Sequence, residues 1–179
     1  MSHSHATLRE RLDTIVRRVP DFPKPGIVFR DITPLLGDPA AYREVVGAMA
    51  AHWHGAGCTH VVGIESRGFL FGAPMALELG LPFVPVRKPG KLPHAVEREE
   101  YALEYGTDAL EMHADAMPRG ARVLVVDDVL ATGGTASATA RLVQRVGGEV
   151  AGFAFLLELR ALGGRALLGG HRIDAMLDA

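Results

Sequence analysis

Apolar positions change their spacing along this chain, and the change divides it into a helical start and a strand-helix remainder. Near the beginning, Leu8, Leu12, Ile15, Val16 and Val19 share one helical face. Thr7-Leu8-Arg9-Glu10 has capping-box spacing, so a helix is expected to open at Thr7. Pro20, Pro23, Pro25 and Gly26 then predict an irregular stretch. A second helix is expected after Asp38, a cap residue, with Pro39 at its first position. Tyr42, Val45, Val46, Met49 and Trp53 form its apolar stripe, which reads as core packing.

From His60 onward the apolar runs shorten. Residues 60–64, 82–86, 122–126 and 150–157 each read as a buried strand. One helix is expected to end near Gly80, and another to run from about Thr135 to Val146 before Gly147-Gly148. Apolar strands alternating with helices predict an α/β fold with a parallel sheet covered on both faces. Ligands of such sheets bind at the carboxyl ends of the strands. Residues 89–117 depart from this pattern, being polar with charges at Glu97, Arg98, Glu99 and Glu100. Segments 101–105 and 109–113 read as a hairpin around Gly106, and a polar excursion beside a ligand-binding edge is a candidate lid.

Composition narrows the function classes. A chain of 179 residues, 48% hydrophobic and 22% charged, suits one domain with a core that needs no disulfide or metal. The net charge of -2 provides no global attraction to nucleic acid or to an anionic membrane, so any phosphate affinity must be local. The lone Cys58 cannot form an internal disulfide. No apolar run is long enough to cross a bilayer, and Met1-Ser2-His3-Ser4-His5 lacks the features of a leader peptide. A cytoplasmic protein is expected, with the two terminal histidines in a frayed tail. His52, His54 and His113 follow no metal-binding pattern.

The segment richest in chemistry is Val123-Leu124-Val125-Val126-Asp127-Asp128-Val129-Leu130-Ala131-Thr132-Gly133-Gly134-Thr135. A buried strand delivers two carboxylates, and a loop of small residues then enters a helix. Gly133 and Gly134 let backbone N–H groups approach a phosphate, Thr132 and Thr135 add hydroxyls, and the helix start adds partial positive charge. Carboxylates beside such a nest suit hydroxyl donors one sugar ring away. Ribose 5-phosphate satisfies both halves, with its phosphate at residues 131–135 and its 2'- and 3'-hydroxyls on Asp127 and Asp128. No Gly-Lys-Ser/Thr follows, and the dinucleotide glycine pattern is absent.

This segment resembles the phosphoribosyl pyrophosphate signature of the type I phosphoribosyltransferases. Phe22-Pro23-Lys24-Pro25-Gly26-Ile27-Val28-Phe29-Arg30-Asp31-Ile32-Thr33 is similar to the N-terminal signature of the adenine-specific branch. So are Glu65-Ser66-Arg67-Gly68-Phe69-Leu70-Phe71-Gly72 and Val84-Pro85-Val86-Arg87-Lys88-Pro89-Gly90-Lys91-Leu92-Pro93, with Leu103-Glu104-Tyr105-Gly106-Thr107 completing the set. The motifs are collinear over most of the chain.

The resemblance implies one domain over residues 1–179, with a hood and base-binding segment at about 1–35 and a lid at about 89–117. It implies a purine-salvage transferase making AMP and pyrophosphate from adenine and 5-phosphoribosyl 1-pyrophosphate. The sugar phosphate falls to Asp127, Asp128, Ala131, Thr132, Gly133, Gly134 and Thr135. Pyrophosphate falls to Glu65, Ser66, Arg67, Gly68, Arg87, Lys88 and Lys91, one cation acting across a homodimer interface. A non-proline cis peptide is common in the family's equivalent of the 65–68 loop.

Glu104, with Tyr105, is implied to exchange the purine N7 proton, and Arg67 to act with them on the reacting groups. A carboxyl in a water-poor site is suited to that task. Val28, Phe29, Arg30 and Leu159 are implied to hold adenine, Phe29 by stacking and the backbone of Val28 and Arg30 through one acceptor and one donor. A 6-oxopurine reverses that pair and leaves buried groups unsatisfied, at about 1–3 kcal/mol each. Magnesium is expected on the substrate, held by oxygen ligands and water, so no protein ligand is assigned.

Two rival functions are a phosphoribosyltransferase for another purine and a ligand-sensing regulator on the same fold. Phe29-Arg30-Asp31 and Leu103-Glu104-Tyr105 argue against the first. The second would show a basic face or an added helix-turn-helix, and the sequence has neither. Ala136-Ser137 replaces the bulkier residues common in the family, and the tail after Ile173 is short enough for an abbreviated last strand.

Overall fold

A computed structural model describes residues 7–102 and 106–179. The expected terminal tail and the expected proton-exchange residues Glu104 and Tyr105 lie outside the described residues. Two compact units form, one up to Ala48 and one from Met49 onward.

In the first unit, α1 (Leu8–Ile15) begins as expected. Thr7 Oγ1 accepts the Glu10 N–H at 3.3 Å and the Glu10 carboxylate accepts the Thr7 N–H at 2.7 Å, closing the capping box. The proline-rich stretch is irregular over residues 21–27, as expected, and is bracketed by two short strands. Strands β1 (Arg17–Pro20) and β2 (Val28–Asp31) pair antiparallel from Arg17 opposite Asp31 to Pro20 opposite Val28. Pro20 falls at the strand end, where a missing N–H costs little. The short helix α2 (Thr33–Leu36) follows, and α3 (Pro39–Ala51) starts where Asp38 Oδ1 accepts the N–H groups of Ala40 and Ala41 at 3.0 and 3.1 Å.

The second unit contains β3 (His60–Ile64), α4 (Gly68–Leu79), β4 (Phe83–Val86), β5 (Val96–Ala102), β6 (Thr107–His113), β7 (Arg122–Leu130), α5 (Gly134–Arg145), β8 (Glu149–Glu158) and β9 (Arg172–Asp178). Two short 3-10 turns, Arg160–Leu162 and Gly164–Leu168, join β8 to β9. The main sheet has the order β4-β3-β7-β8-β9, every neighbouring pair parallel, flanked by α4 and α5. Val123 to Val126 are all fully buried, as a central strand covered on both faces requires. Trp53 is buried as expected, with the Arg172 guanidinium 4.3 Å from its ring centre.

Three expectations change. Strand β7 continues past Val126, so Asp127 and Asp128 lie within it rather than after it. The last strand is not abbreviated: β9 pairs with β8 over its whole length. The hairpin begins at Val96, ahead of the expected Tyr101, so it takes in the charged run 97–100.

Its stem is anchored at two places. Arg87 and Glu111 exchange backbone hydrogen bonds of 2.9 and 2.7 Å. The buried Glu99 forms ion pairs with Arg141 at 2.5 Å and Arg145 at 2.6 Å, both on α5. Tyr101, Leu110 and Met112 belong to the same core as Val86, Val125 and Leu142.

Candidate active site

The site arises from strands of unequal length. Strand β3 pairs with β7 only as far as Val126, while β8 follows β7 to Leu130. From Asp127 onward β7 is therefore open on the β3 side, where the chain leaves through Glu65, Ser66 and Arg67 into α4. The Glu65–Ser66 peptide is cis.

Two pockets meet at this opening. The smaller, about 70 Å³, is lined by Asp127, Val129, Leu130, residues 131–135 and Ala136. The larger, about 320 Å³, is lined by Glu65, Ser66, Arg67, Lys88, Tyr101, Asp127, Asp128 and Thr135. Asp127 and Thr135 border both. A loop of small residues at a helix start thus faces one side of a carboxylate pair, and cationic side chains face the other.

Gly133 makes the smaller pocket geometrically possible. It caps α5 at φ +84, a conformation available to glycine at little cost. A Cβ there would also stand 2.4 Å from the Gly164 carbonyl oxygen. Gly68 has the corresponding part beside the carboxylates, since a Cβ on it would stand 2.8 Å from Val126 O and 2.9 Å from Asp127 Oδ1.

Burial and the neighbouring Asp128 charge push the Asp127 carboxyl well above its ordinary value. Burial also raises Asp128, opposed by Arg67, whose Nε lies 2.6 Å from Asp128 Oδ2. Asp127 Oδ1 accepts the Asp128 N–H at 2.9 Å. Glu65 behaves differently. Burial pushes it up, but bonds from Lys91 Nζ, the Lys88 N–H and the Arg87 guanidinium hold it at about 2.

The cations assigned to pyrophosphate separate into two groups. Arg67 and Lys88 line the larger pocket with Ser66, and Lys88 Nζ donates to Asp108 and to Tyr101 Oη at 3.2 Å. Arg87 and Lys91 are both bonded to Glu65, which itself borders the pocket.

Of the residues assigned to adenine, Val28, Phe29 and Arg30 belong to the first unit and Leu159 to the second. Val28 is exposed, and Phe29 packs edge-on against Phe22 at 5.2 Å. The Arg30 side chain is buried and donates to Asp13 at 2.5 Å, and its backbone stands opposite Arg18 in the β1–β2 pair. Leu159 is half-buried and donates its N–H to Leu130 O at 2.8 Å.

Sequence reasoning missed Tyr101 as a lining residue, and it missed Glu158, Gly164 and Arg165. Both Glu158 oxygens accept from Arg165 at 2.7 Å, and Gly164 packs on the loop of the smaller pocket. The available signal was a charged residue ending an apolar strand, followed by Gly163-Gly164-Arg165. Among the described residues no group of three His, Cys, Asp or Glu side chains could hold a metal ion.

Residues 36–165 match the phosphoribosyl transferase domain family. The chain is 59% identical over 176 residues to an adenine phosphoribosyltransferase of Myxococcus xanthus, covering 98% of this chain and 96% of that protein. Among solved structures, the adenine phosphoribosyltransferase of Thermoanaerobacter pseudethanolicus superposes with a TM-score of 0.92 at 50% identity, covering 97% of this chain and 100% of that one. The Saccharomyces cerevisiae enzyme, solved with adenine and an iminoalditol bisphosphate, gives 0.91 at 38% identity, covering 95% and 98%. The chain belongs to the phosphoribosyltransferase family, within its adenine phosphoribosyltransferase branch. It is an enzyme of phosphoribosyl transfer.

Proposed function

We propose that this chain converts adenine and 5-phosphoribosyl 1-pyrophosphate to AMP and pyrophosphate, with the opening beside Asp127 as its sugar site. The observation that carries the site assignment is the pair of pockets meeting at Asp127 and Thr135. The 5-phosphate takes the backbone N–H groups and hydroxyls of residues 131–135. The ribose hydroxyls donate to Asp127 and Asp128. Pyrophosphate is held by Ser66, Arg67 and Lys88 and by the Gly68 start of α4. Arg87 and Lys91, neutralised in part by Glu65, shape that side.

At the anomeric carbon the bond to pyrophosphate breaks as the bond to adenine N9 forms, through an oxocarbenium-like state. Arg67 and Lys88 stabilise the charge gathering on the departing oxygen, the kind of fixed electrostatic contribution that counts most when water is excluded. Glu104 exchanges the N7 proton, with Tyr105 beside it, and Val28, Phe29, Arg30 and Leu159 select adenine. Residues 1–35 act as the hood and residues 89–117 as the lid.

Magnesium belongs to this reading as a partner of the sugar pyrophosphate, where it neutralises dense negative charge. The chain's own donors fit that arrangement: Asp128 is paired with Arg67 and Asp127 is pushed toward its neutral form, so both suit sugar hydroxyls better than a bare cation. A homodimer is also part of the proposal. Apart from Glu78, helix α4 is apolar on its outer side as well as its inner one, with Leu77 84% exposed and Leu70 also exposed, as a helix covered by a second subunit would be. The chain has no described helix long and apolar enough to cross a membrane, and a cytoplasmic location is proposed.

The test is nucleotide formation by purified protein with phosphoribosyl pyrophosphate, magnesium and adenine, hypoxanthine, guanine or xanthine in turn. AMP from adenine alone is expected. Turnover of a 6-oxopurine would overturn the base assignment. Binding of the sugar pyrophosphate without turnover of any base would favour the regulator.

A further inference from the structure

The phosphate loop is bordered by a segment that sequence reasoning did not connect with it. Strand β8 ends at Glu158, which stands opposite Leu130 of β7 on one side and Asp178 of β9 on the other. Glu158 is 3% exposed, and its two oxygens accept from Arg165 Nε and Nη2, each at 2.7 Å. Arg165 Nη1 donates in addition to Ile173 O at 3.3 Å. A bidentate, charge-assisted pair of this kind fixes direction as well as distance.

What it fixes is the 3-10 turn Gly164–Leu168, whose far end is held by the buried Leu168. Its near end touches the phosphate loop backbone to backbone. A Cβ on Gly164 would lie 2.3 Å from Ala131 O and 3.0 Å from Gly133 N. Neither contacting position has room for a side chain, so a displacement of the turn transmits directly to residues 131–133.

We propose that Arg165, gripped by Glu158, is a positioning residue for the phosphate loop: it seats the Gly164–Leu168 turn against residues 131–133 and thereby sets affinity for the sugar's 5-phosphate without touching it. The inference rests on the assignment of residues 131–135 to that phosphate. A purely structural ion pair would act on stability alone. A positioning pair acts selectively on the phosphate end of the site, because the Arg67 and Lys88 side borders a different pocket.

The experiment measures binding of ribose 5-phosphate and, separately, of inorganic pyrophosphate with magnesium, by calorimetry on full-length protein whose fold is checked by circular dichroism. Variants are Arg165→Met, Arg165→Lys, Glu158→Gln, the Arg165→Met/Glu158→Gln double variant and Thr135→Ala. Arg165→Met is expected to weaken ribose 5-phosphate binding on the order of tenfold or more and to leave pyrophosphate binding unchanged. Arg165→Lys, with a point charge in place of the fork, recovers part of the loss. The double variant is no weaker than Arg165→Met, because the two side chains act as one unit.

Equal losses for both ligands, or no loss of ribose 5-phosphate binding in Arg165→Met, would overturn the inference. If Arg165→Met does not fold, Arg165→Lys and Glu158→Gln decide by the same two titrations. Thr135→Ala separates the two levels. A loss there without one in Arg165→Met defeats the positioning role alone, whereas no loss in Thr135→Ala defeats the phosphate assignment itself.

Discussion

Arg67 Nε lies 2.6 Å from Oδ2 of Asp128, joining the two sides of the sugar opening through one ion pair. Burial raises the Asp128 carboxyl and this guanidinium opposes the rise. Arg67→Met therefore moves Asp128 further up, and the acid limb of kcat/KM shifts to higher pH. The same change removes a donor to pyrophosphate and lowers kcat/KM roughly 10²-fold. A pH profile of the variant beside the unmodified enzyme measures both. A lowered rate on an unmoved acid limb would contradict the electrostatic account.

Asp127 weakens the fold in which it serves. Its carboxyl is raised in the folded chain above the ordinary 3.8, so the folded state binds more protons than the unfolded one as pH climbs above 3.8. Stability then falls as pH rises through that window. Asp127→Asn is expected to melt at a higher temperature than the parent at pH 7, by roughly 2–4 °C for each kcal/mol regained. The advantage disappears toward pH 4, and activity is lost. Melting curves from pH 4 to 7.5 test the sign.

Glu65 has the opposite linkage. Its folded value of about 2 lies below the ordinary 4.5, so its contribution is present above 4.5 and is lost as pH falls toward 2. With solvent screening included, Glu65→Gln costs on the order of 1–2 kcal/mol at pH 7. The deficit relative to the parent shrinks steadily on acidification. Chemical denaturation at pH 7 and pH 3 checks the pattern, and a deficit independent of pH would contradict it.

Gly68→Ala inserts a methyl group 2.9 Å from Asp127 Oδ1 and 2.8 Å from Val126 O. One of these neighbours must move, and Asp127 lies on the open side of the strand. KM for the sugar pyrophosphate is expected to rise about tenfold or more, since small displacements of positioned groups are costly. Steady-state kinetics, with the melting temperature alongside, separates this from general loosening.

Glu99→Ala removes the carboxylate shared by Arg141 and Arg145 and loosens the stem of the hairpin from α5. The arginines are about half exposed and can be rehydrated, so the cost is about 1–3 kcal/mol rather than that of a deeply buried pair. Denaturant unfolding measures it. Arg141→Ala alone is expected to cost less, because Arg145 remains.

The parts of the fold legible in the sequence were those specified by neighbouring residues. The capping box at Thr7, the cap at Asp38 and the glycine-rich loop after Asp128 are local devices, and all three fold as their spacing predicts. The charged run beginning at Glu97 falls outside the expected hairpin because a buried glutamate needs partners, and those of Glu99 lie on α5, with Arg141 42 residues away. Strand β7 was cut short for a related reason. Two carboxylates look out of place in a buried strand until β8 supplies the pairing that extends to Leu130.

The candidate site divides in the same way. Asp127, Asp128 and residues 131–135 are close in sequence; Asp127 and residues 131–135 line one pocket, and Asp128 lines the pocket that adjoins it. The four cations assigned together from nearby positions do not act alike, because Glu65 takes Arg87 and Lys91 while Asp108 and Tyr101 take Lys88. Glu158 and Arg165 escaped notice because their partner is a loop far upstream in the chain, and nothing in Gly163-Gly164-Arg165 names it.

The pairing of β3 with β7 also dictates an order of assembly. His60 stands beside Val123, so the two edges of the sugar opening come from segments separated by 63 residues. Closing so long a loop costs entropy before the contacts reward it, and non-local parallel pairing is slow. During synthesis β3 and β4 emerge well before the strand that completes their sheet. Until β7 arrives, an apolar strand edge waits unpaired and exposed to association with other chains. Catalytic competence thus requires this long-range pairing, and no fragment ending before Thr135 can complete the sugar-phosphate site.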